Sequence, residues 1–159
     1  RIGLLNGPIS SFKSVGCLDG YRRALLESEI DEDHEITLCG EFVPEWGLAG
    51  ARILLGNNDR PSAIVCANDL IASGVYAAAK ELGLKIPEDL SVVGFGDFPV
   101  AKFMTPALTT IRTPLREMGT EAGRILLESV KGGLVEEHSV LFPTSLVPRE
   151  SVKTISQLD

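Results

Sequence analysis

Histidine is scarce in this sequence of 159 residues, which holds two, His34 and His138. His34 sits in an acidic run and His138 follows Glu136-Glu137, both loop-like places. A Ser/His/Asp or Cys/His arrangement therefore lacks its base, and no catalytic residue is expected. Cysteine is also sparse: Cys17, Cys39 and Cys66 are odd in number and show no CxxC spacing. That excludes a disulfide framework and a zinc site and fits a reducing, cytoplasmic compartment. Cys39 and Cys66 fall within apolar runs, where a buried thiol is the ordinary expectation. No apolar run approaches the roughly 18–20 residues of a membrane span, and the start lacks the layout of a signal peptide. There is no GxxxxGK loop, and Gly94-Phe95-Gly96 has no third glycine opening a helix, so no nucleotide cofactor is expected. Basic residues number 15 against 22 acidic ones, for a net charge of −7. They are scattered, whereas a phosphate-gripping surface needs them clustered. The acidic cluster Glu27, Glu29, Asp31, Glu32, Asp33 and Glu35 reads as a solvated helix end and loop.

What the chain does have is a strand–helix rhythm. Arg1 to Leu5 reads as a buried strand that opens with no lead-in, which raises the expectation of a piece of a longer protein. Leu18, Tyr21 and Leu25 then recur at helical spacing. Glu35–Phe42 reads as a second strand, and Leu48, Ala51 and Leu55 mark a second helix. Ala63–Ala67 is continuously apolar, as a strand covered on both faces should be. Ile71, Val75, Ala78 and Leu82 form a helix stopping at Gly83, and Ser91–Phe95 is a fourth strand. Strands joined by helices imply right-handed crossovers and an α/β, doubly wound parallel sheet. After Phe95 the rhythm breaks. Thr105 to Ile111 is extended, and an amphipathic helix begins near Pro114 with the stripe Leu115, Met118, Ala122, Ile125, Leu126 and Val130. Gly132-Gly133 ends it, and Val140-Leu141-Phe142 and Leu146-Val147 return as extended segments.

Ligands of open α/β sheets lie beyond the carboxyl ends of the strands. Those ends read Asn6-Gly7-Pro8-Ile9-Ser10-Ser11, Glu41-Phe42, Asn68-Asp69 and Gly96-Asp97-Phe98. Amides, hydroxyls, carboxylates and rings in one rim suit a small polar ligand, hydrogen-bonded and stacked. Each also has a plainer reading. N-capping explains Asn68 or Asp69, packing explains Phe42 and Phe98, and a turn before Pro99 explains Asp97.

The same residues carry a resemblance. Arg1-Ile2-Gly3-Leu4-Leu5-Asn6-Gly7-Pro8, Leu18-Asp19-Gly20-Tyr21-Arg22-Arg23-Ala24-Leu25, Gly40-Glu41-Phe42 and Arg60-Pro61-Ser62-Ala63-Ile64 come first. Ala67-Asn68-Asp69, the run Ile86 to Phe95, Pro106 to Ile111 and Leu146-Val147-Pro148-Arg149-Glu150-Ser151 follow in order. Together they resemble the effector-binding core of the LacI/GalR family of bacterial transcription regulators. That core is periplasmic-binding-protein-like, type I: two α/β subdomains closing on a ligand, behind an N-terminal helix-turn-helix.

The resemblance implies a division of the chain. Residues 1–108 would be the C-terminal subdomain, 109–145 a crossover and a helix of the N-terminal subdomain, and 146–159 a return segment and tail. It implies ligand contacts from Asn68, from the Phe42 ring, and from Ser11 and Lys13 in the loop after the first strand. Two usual anchors differ: Cys17 stands where an arginine is common, and Gly96 where an aspartate is. Asp97, shifted by one residue, and Lys13 are left to supply a carboxylate and a cation. The implied partners are a carbohydrate-like effector, operator DNA through a headpiece not among these residues, and a second copy of the chain. The homodimer would use Ser73, Tyr76, Ala77 and the Phe103-Met104 segment, of which Tyr76 and Phe103 also read as packing residues. A transporter's solute-binding protein would share the sheet and cleft; the cysteines and the Leu146–Ser151 ending favour the regulator.

Overall fold

Along Ile2–Asn6, the first strand β1, successive side chains point to opposite sides, and both sides are covered. Leu4 meets Tyr21 and Leu25 on one side. Leu5 joins Leu54, Ile64 and Ile71 on the other. The structure, a computed structural model, describes residues 1–30, 36–56, 59–132 and 139–154. The elements that follow β1 are α1 (Phe12–Glu27), β2 (Ile36–Cys39), α2 (Pro44–Leu55), β3 (Ala63–Cys66), α3 (Asp69–Glu81), β4 (Ser91–Gly96) and α4 (Pro99–Phe103). Then come β5 (Thr109–Arg112), α5 (Leu115–Val130) and β6 (Ser145–Val147).

The sheet order is β2-β1-β3-β4-β5-β6. The first five strands pair in parallel, as the crossovers predict, and β6 adds an antiparallel edge to β5. Helix α1 covers one face, and α2 and α3 pack against each other on the other. Two glycines let α2 and α3 touch through their backbones. A Cβ at Gly47 would stand 2.0 Å from the Ile71 carbonyl oxygen, and one at Gly74 would stand 2.1 Å from that of Pro44.

Four details depart from the sequence-based reading. The second strand covers only Ile36–Cys39, and Cys39 is exposed because β2 is the sheet's edge. The short helix α4, opened by Pro99, is too brief to show a periodic signal. Thr109–Arg112 is a strand of this sheet, so the segment that leaves it starts after Arg112 rather than at residue 109. Lys13 lies in the first turn of α1 rather than in the preceding loop. The fifth helix carries its apolar stripe as expected, and none of its residues is buried. No helix of the described residues is long and apolar enough to cross a membrane.

Candidate functional site

The chain leaves β1 toward β2 on one side and returns to β3 on the other, so the strand order reverses between β1 and β3. Loops diverge there and leave a crevice at the strands' carboxyl ends. On the β1 side, Asn6 is buried and fully engaged. It donates from Nδ2 to the Ser14 carbonyl at 2.9 Å and accepts from the Gly7 N–H at 2.9 Å. Trp46 donates from Nε1 to the Asn6 carbonyl at 3.0 Å. The Phe42 ring lies flush on Gly7, where any Cβ would stand 2.1 Å from the ring edge. On the β3 side, Asn68 caps α3 by accepting from the Ile71 N–H at 2.7 Å. Its amide also donates to the Phe42 carbonyl at 3.2 Å. Asn68 is therefore both the cap of α3 and a tether on the Phe42 backbone.

Lys13 extends its ammonium between two rings, 5.2 Å from the centre of Phe42 and 5.0 Å from that of Phe95. Partial burial lowers the Lys13 pKa, against the opposing influence of Cys17 and Asp69. Burial likewise raises the Cys17 thiol, against the nearby Lys13 ammonium, so Cys17 brings no charge at neutral pH. Ser11 is the N-cap residue of α1, yet its hydroxyl makes no capping hydrogen bond. Ser14, in the same turn, has a buried hydroxyl with no hydrogen-bond partner. No acidic side chain occupies this first turn. A helix start carries unpaired N–H groups and partial positive charge, so this one is open to an acceptor. Lys13 and Phe95 also line two neighbouring cavities. One, about 310 Å³, is completed by Phe12, Gly16, Cys17 and Ala67. The other, about 230 Å³, is completed by Gly96, Phe98, Thr113 and Leu115.

Two carboxylates of the rim, Asp69 and Asp97, are already engaged within the chain. Asp69 is fully buried; it accepts from the Phe98 N–H and the Thr110 hydroxyl, both at 2.6 Å. Asp97 adopts a left-handed backbone conformation, φ 53°, that a turn before Phe98-Pro99 requires. Its carboxylate accepts from Arg149 Nη2 at 2.5 Å and from Arg112 Nε at 2.8 Å. Burial alone would raise the Asp97 carboxyl, but the two guanidinium groups outweigh it and hold its pKa below the ordinary value.

Of the five residues singled out from sequence, the structure gathers Ser11, Lys13, Phe42 and Asn68 around the crevice. Asp97 sits at the β4 end with its oxygens spent on arginine. Sequence reasoning did not single out Phe95, the second ring beside Lys13. Its position near the carboxyl end of β4 was the available signal. Arg112 and Arg149 also went unremarked as partners of Asp97. His34 and His138 lie outside the described residues, as do Asp31, Glu32, Asp33 and Glu35. No cluster of three metal-ligating side chains occurs among the described residues.

Residues 1–152 match the family model of the periplasmic binding protein-like domain. The HTH-type transcriptional repressor PurR of Salmonella newport is 36% identical over 151 residues, covering 95% of this chain and 44% of that protein. The chain is a periplasmic binding protein-like domain of the LacI/GalR family. A LacI family regulator from Enterococcus faecium, solved with bound ribose, superimposes with a TM-score of 0.88 at 27% identity, over 98% of this chain and 57% of that one. The lac repressor dimer bound to operator and the anti-inducer ONPF gives 0.86 at 31% identity, over 97% and 53%. The chain spans less than half the length of the PurR relatives. Its sheet is the LacI/GalR effector-domain sheet, and the relatives are transcriptional regulators rather than enzymes.

Proposed function

We propose that this chain forms most of one lobe of the effector-sensing core of a LacI/GalR-type transcriptional regulator. A small polar molecule, a carbohydrate or a derivative, binds at the β1/β3 crevice and shifts an open–closed equilibrium. In the whole regulator that shift changes the affinity of a DNA-binding headpiece for its operator. The observation that carries this reading is the convergence of the Phe42 ring, the uncapped start of α1 and Lys13 on one strand-end crevice. Neighbours that share the fold, one solved with ribose and one with operator, support it. The relatives are repressors, which disfavours a transporter's solute-binding protein. A cytoplasmic regulator is the corresponding setting.

The helix α5 belongs, on this reading, to the second lobe. Leu115, Leu126, Leu127 and Val130 are all more than half exposed, as a helix awaiting an apolar partner face would be. The whole regulator is a homodimer in which the α3 and α4 flank meets a second copy. Phe103 supports that surface, being 83% exposed, whereas Tyr76 donates its hydroxyl to the Pro106 carbonyl at 3.0 Å and serves the fold as well. Thermal shift and calorimetry of the full-length protein against monosaccharides, sugar derivatives and nucleobases test the effector reading. A ligand that raises the melting temperature and alters operator binding in fluorescence anisotropy is the expected result. Silence across the panel overturns it.

A further inference from the structure

We infer that the effector carries an anionic group, a phosphate or carboxylate on a small polar or ring-bearing body, and that Lys13 is the residue that selects it. This rests on the effector reading above and deepens it. The Lys13 ammonium is held between the Phe42 and Phe95 rings, at 5.2 and 5.0 Å, with no carboxylate in ion-pairing range among the described residues. Cation–π contact alone is a weak substitute for a charged partner, and Lys13 is exposed, so an incoming anion can reach it. Everything else around it favours an incoming acceptor. The first turn of α1 carries no acid, and the Ser11 hydroxyl is not used as a cap. At the β4 end of the rim, Arg112 and Arg149 pair with Asp97, and Asp69 is buried. Arginine has already taken both Asp97 oxygens, and the Asp69 oxygens accept from the chain itself. The Lys13 ammonium has no ion-pair partner among the described residues, and Lys13 lines both cavities.

An anion can draw the ammonium off the rings, because charge-assisted hydrogen bonds are stronger than exposed cation–π contacts. That movement uncovers Phe42 for stacking by the rest of the ligand. A neutral ligand offers no such exchange and must compete with Lys13 for the rings.

The test is calorimetric titration of the full-length protein with matched sets: glucose, glucuronate and glucose phosphate, ribose and ribose phosphate, a nucleobase and its nucleotide, and inorganic phosphate alone. One anionic member is expected to bind roughly tenfold or more tighter than its neutral counterpart. Lys13→Met should abolish that preference, and Lys13→Arg should keep it. Neutral compounds binding as tightly as anionic ones, or a preference that survives Lys13→Met, overturn the assignment and leave the effector reading standing. Phosphate binding with no discrimination among the sugars also overturns it. If no compound binds at all, the effector reading fails and this inference falls with it.

Discussion

Arg149, just beyond β6, reaches back to Asp97 at the end of β4 and donates to its carboxylate at 2.5 Å, with both side chains largely buried. The same guanidinium donates from Nη1 to the Leu108 carbonyl at 2.6 Å. One side chain thus binds the return segment to the strand end that flanks the crevice. Arg112 also pairs with Asp97, but its side chain is about half exposed. Removing one partner of a buried pair costs about 3–5 kcal/mol, whereas exposed pairs contribute about 0–1 kcal/mol. Arg149→Ala is therefore expected to lower unfolding free energy by about 2–4 kcal/mol, and Arg112→Ala by less than about 1 kcal/mol. Urea denaturation of both variants at neutral pH checks the order; equal effects would contradict it.

The same carboxylate makes stability pH-dependent in a defined direction. Its folded pKa lies below its ordinary value of 3.8. Between the two values the unfolded chain binds more protons than the folded one. The stabilisation is therefore fully present above the ordinary value and is lost as pH falls through the folded one. Asp97→Asn suits the left-handed backbone, leaves two arginines without their carboxylate, and should be less stable at neutral pH. Its stability should also fall less steeply on acidification than that of the parent. Parallel acid slopes in denaturation midpoints would show that Asp97 titrates normally.

Asn68 joins two tasks that substitution can separate. Asn68→Ala removes the cap on α3 and the tether on Phe42, and capping alone contributes about 0.5–2 kcal/mol. Asn68→Asp keeps an acceptor for the Ile71 N–H but cannot donate to the Phe42 carbonyl. The aspartate variant should thus retain most of the stability and still loosen the ring. Thermal unfolding and Phe42 ring NMR line shapes distinguish the two; an aspartate variant as unstable as alanine would refute the division.

How far these features were readable in the chain depends on the distance over which they act. Leu4 and Leu5 disclose a doubly covered strand by themselves, and Asn68 before a helical period already suggests a cap. The parallel pairing of β1 to β4 follows from their helical crossovers, but their order in the sheet does not. Lys13 between Phe42 and Phe95 does not follow, because each ring arrives on a different strand end and neither position is periodic with the other. Asp97 could be read as turn or ligand residue; only the antiparallel β6, a three-residue strand with little pattern, brings Arg149 beside it. Cys39 looked buried because an apolar run does not say whether its strand is central or at the edge.

The glycines of the fold divide by what surrounds them. At Gly74 a Cβ would stand 2.1 Å from the Pro44 carbonyl oxygen and 2.4 Å from the Leu48 nitrogen, so α2 and α3 must separate to admit it. Overpacking of that kind costs about 1–3 kcal/mol, more when backbone must move. At Gly20 of α1 nothing lies within 4 Å. There alanine only removes unfolded-state freedom and improves helix propensity, worth about 0.5–1 kcal/mol. Gly74→Ala should destabilise and Gly20→Ala stabilise, read as opposite shifts in urea midpoint. A tolerated Gly74→Ala would contradict the close approach of the two helices.

The fifth helix ends the chain of consequences that starts from its unburied stripe. Most helical stability in proteins comes from tertiary packing of an apolar face, and none of the residues of α5 is buried. Surface pairs such as Arg124 with Glu121 and Glu128 add little. Its backbone amides should therefore exchange with solvent far faster than those of α3 in a protein consisting of these 159 residues. If a second lobe covers Leu115, Leu126 and Val130 in the full-length protein, as proposed, the α5 amides should become protected to the level of α3. Hydrogen exchange followed by mass spectrometry on both proteins measures this. Equal protection of α5 and α3 in the shorter protein would mean that the stripe finds a partner within the chain or in a second copy, and dilution would separate those two.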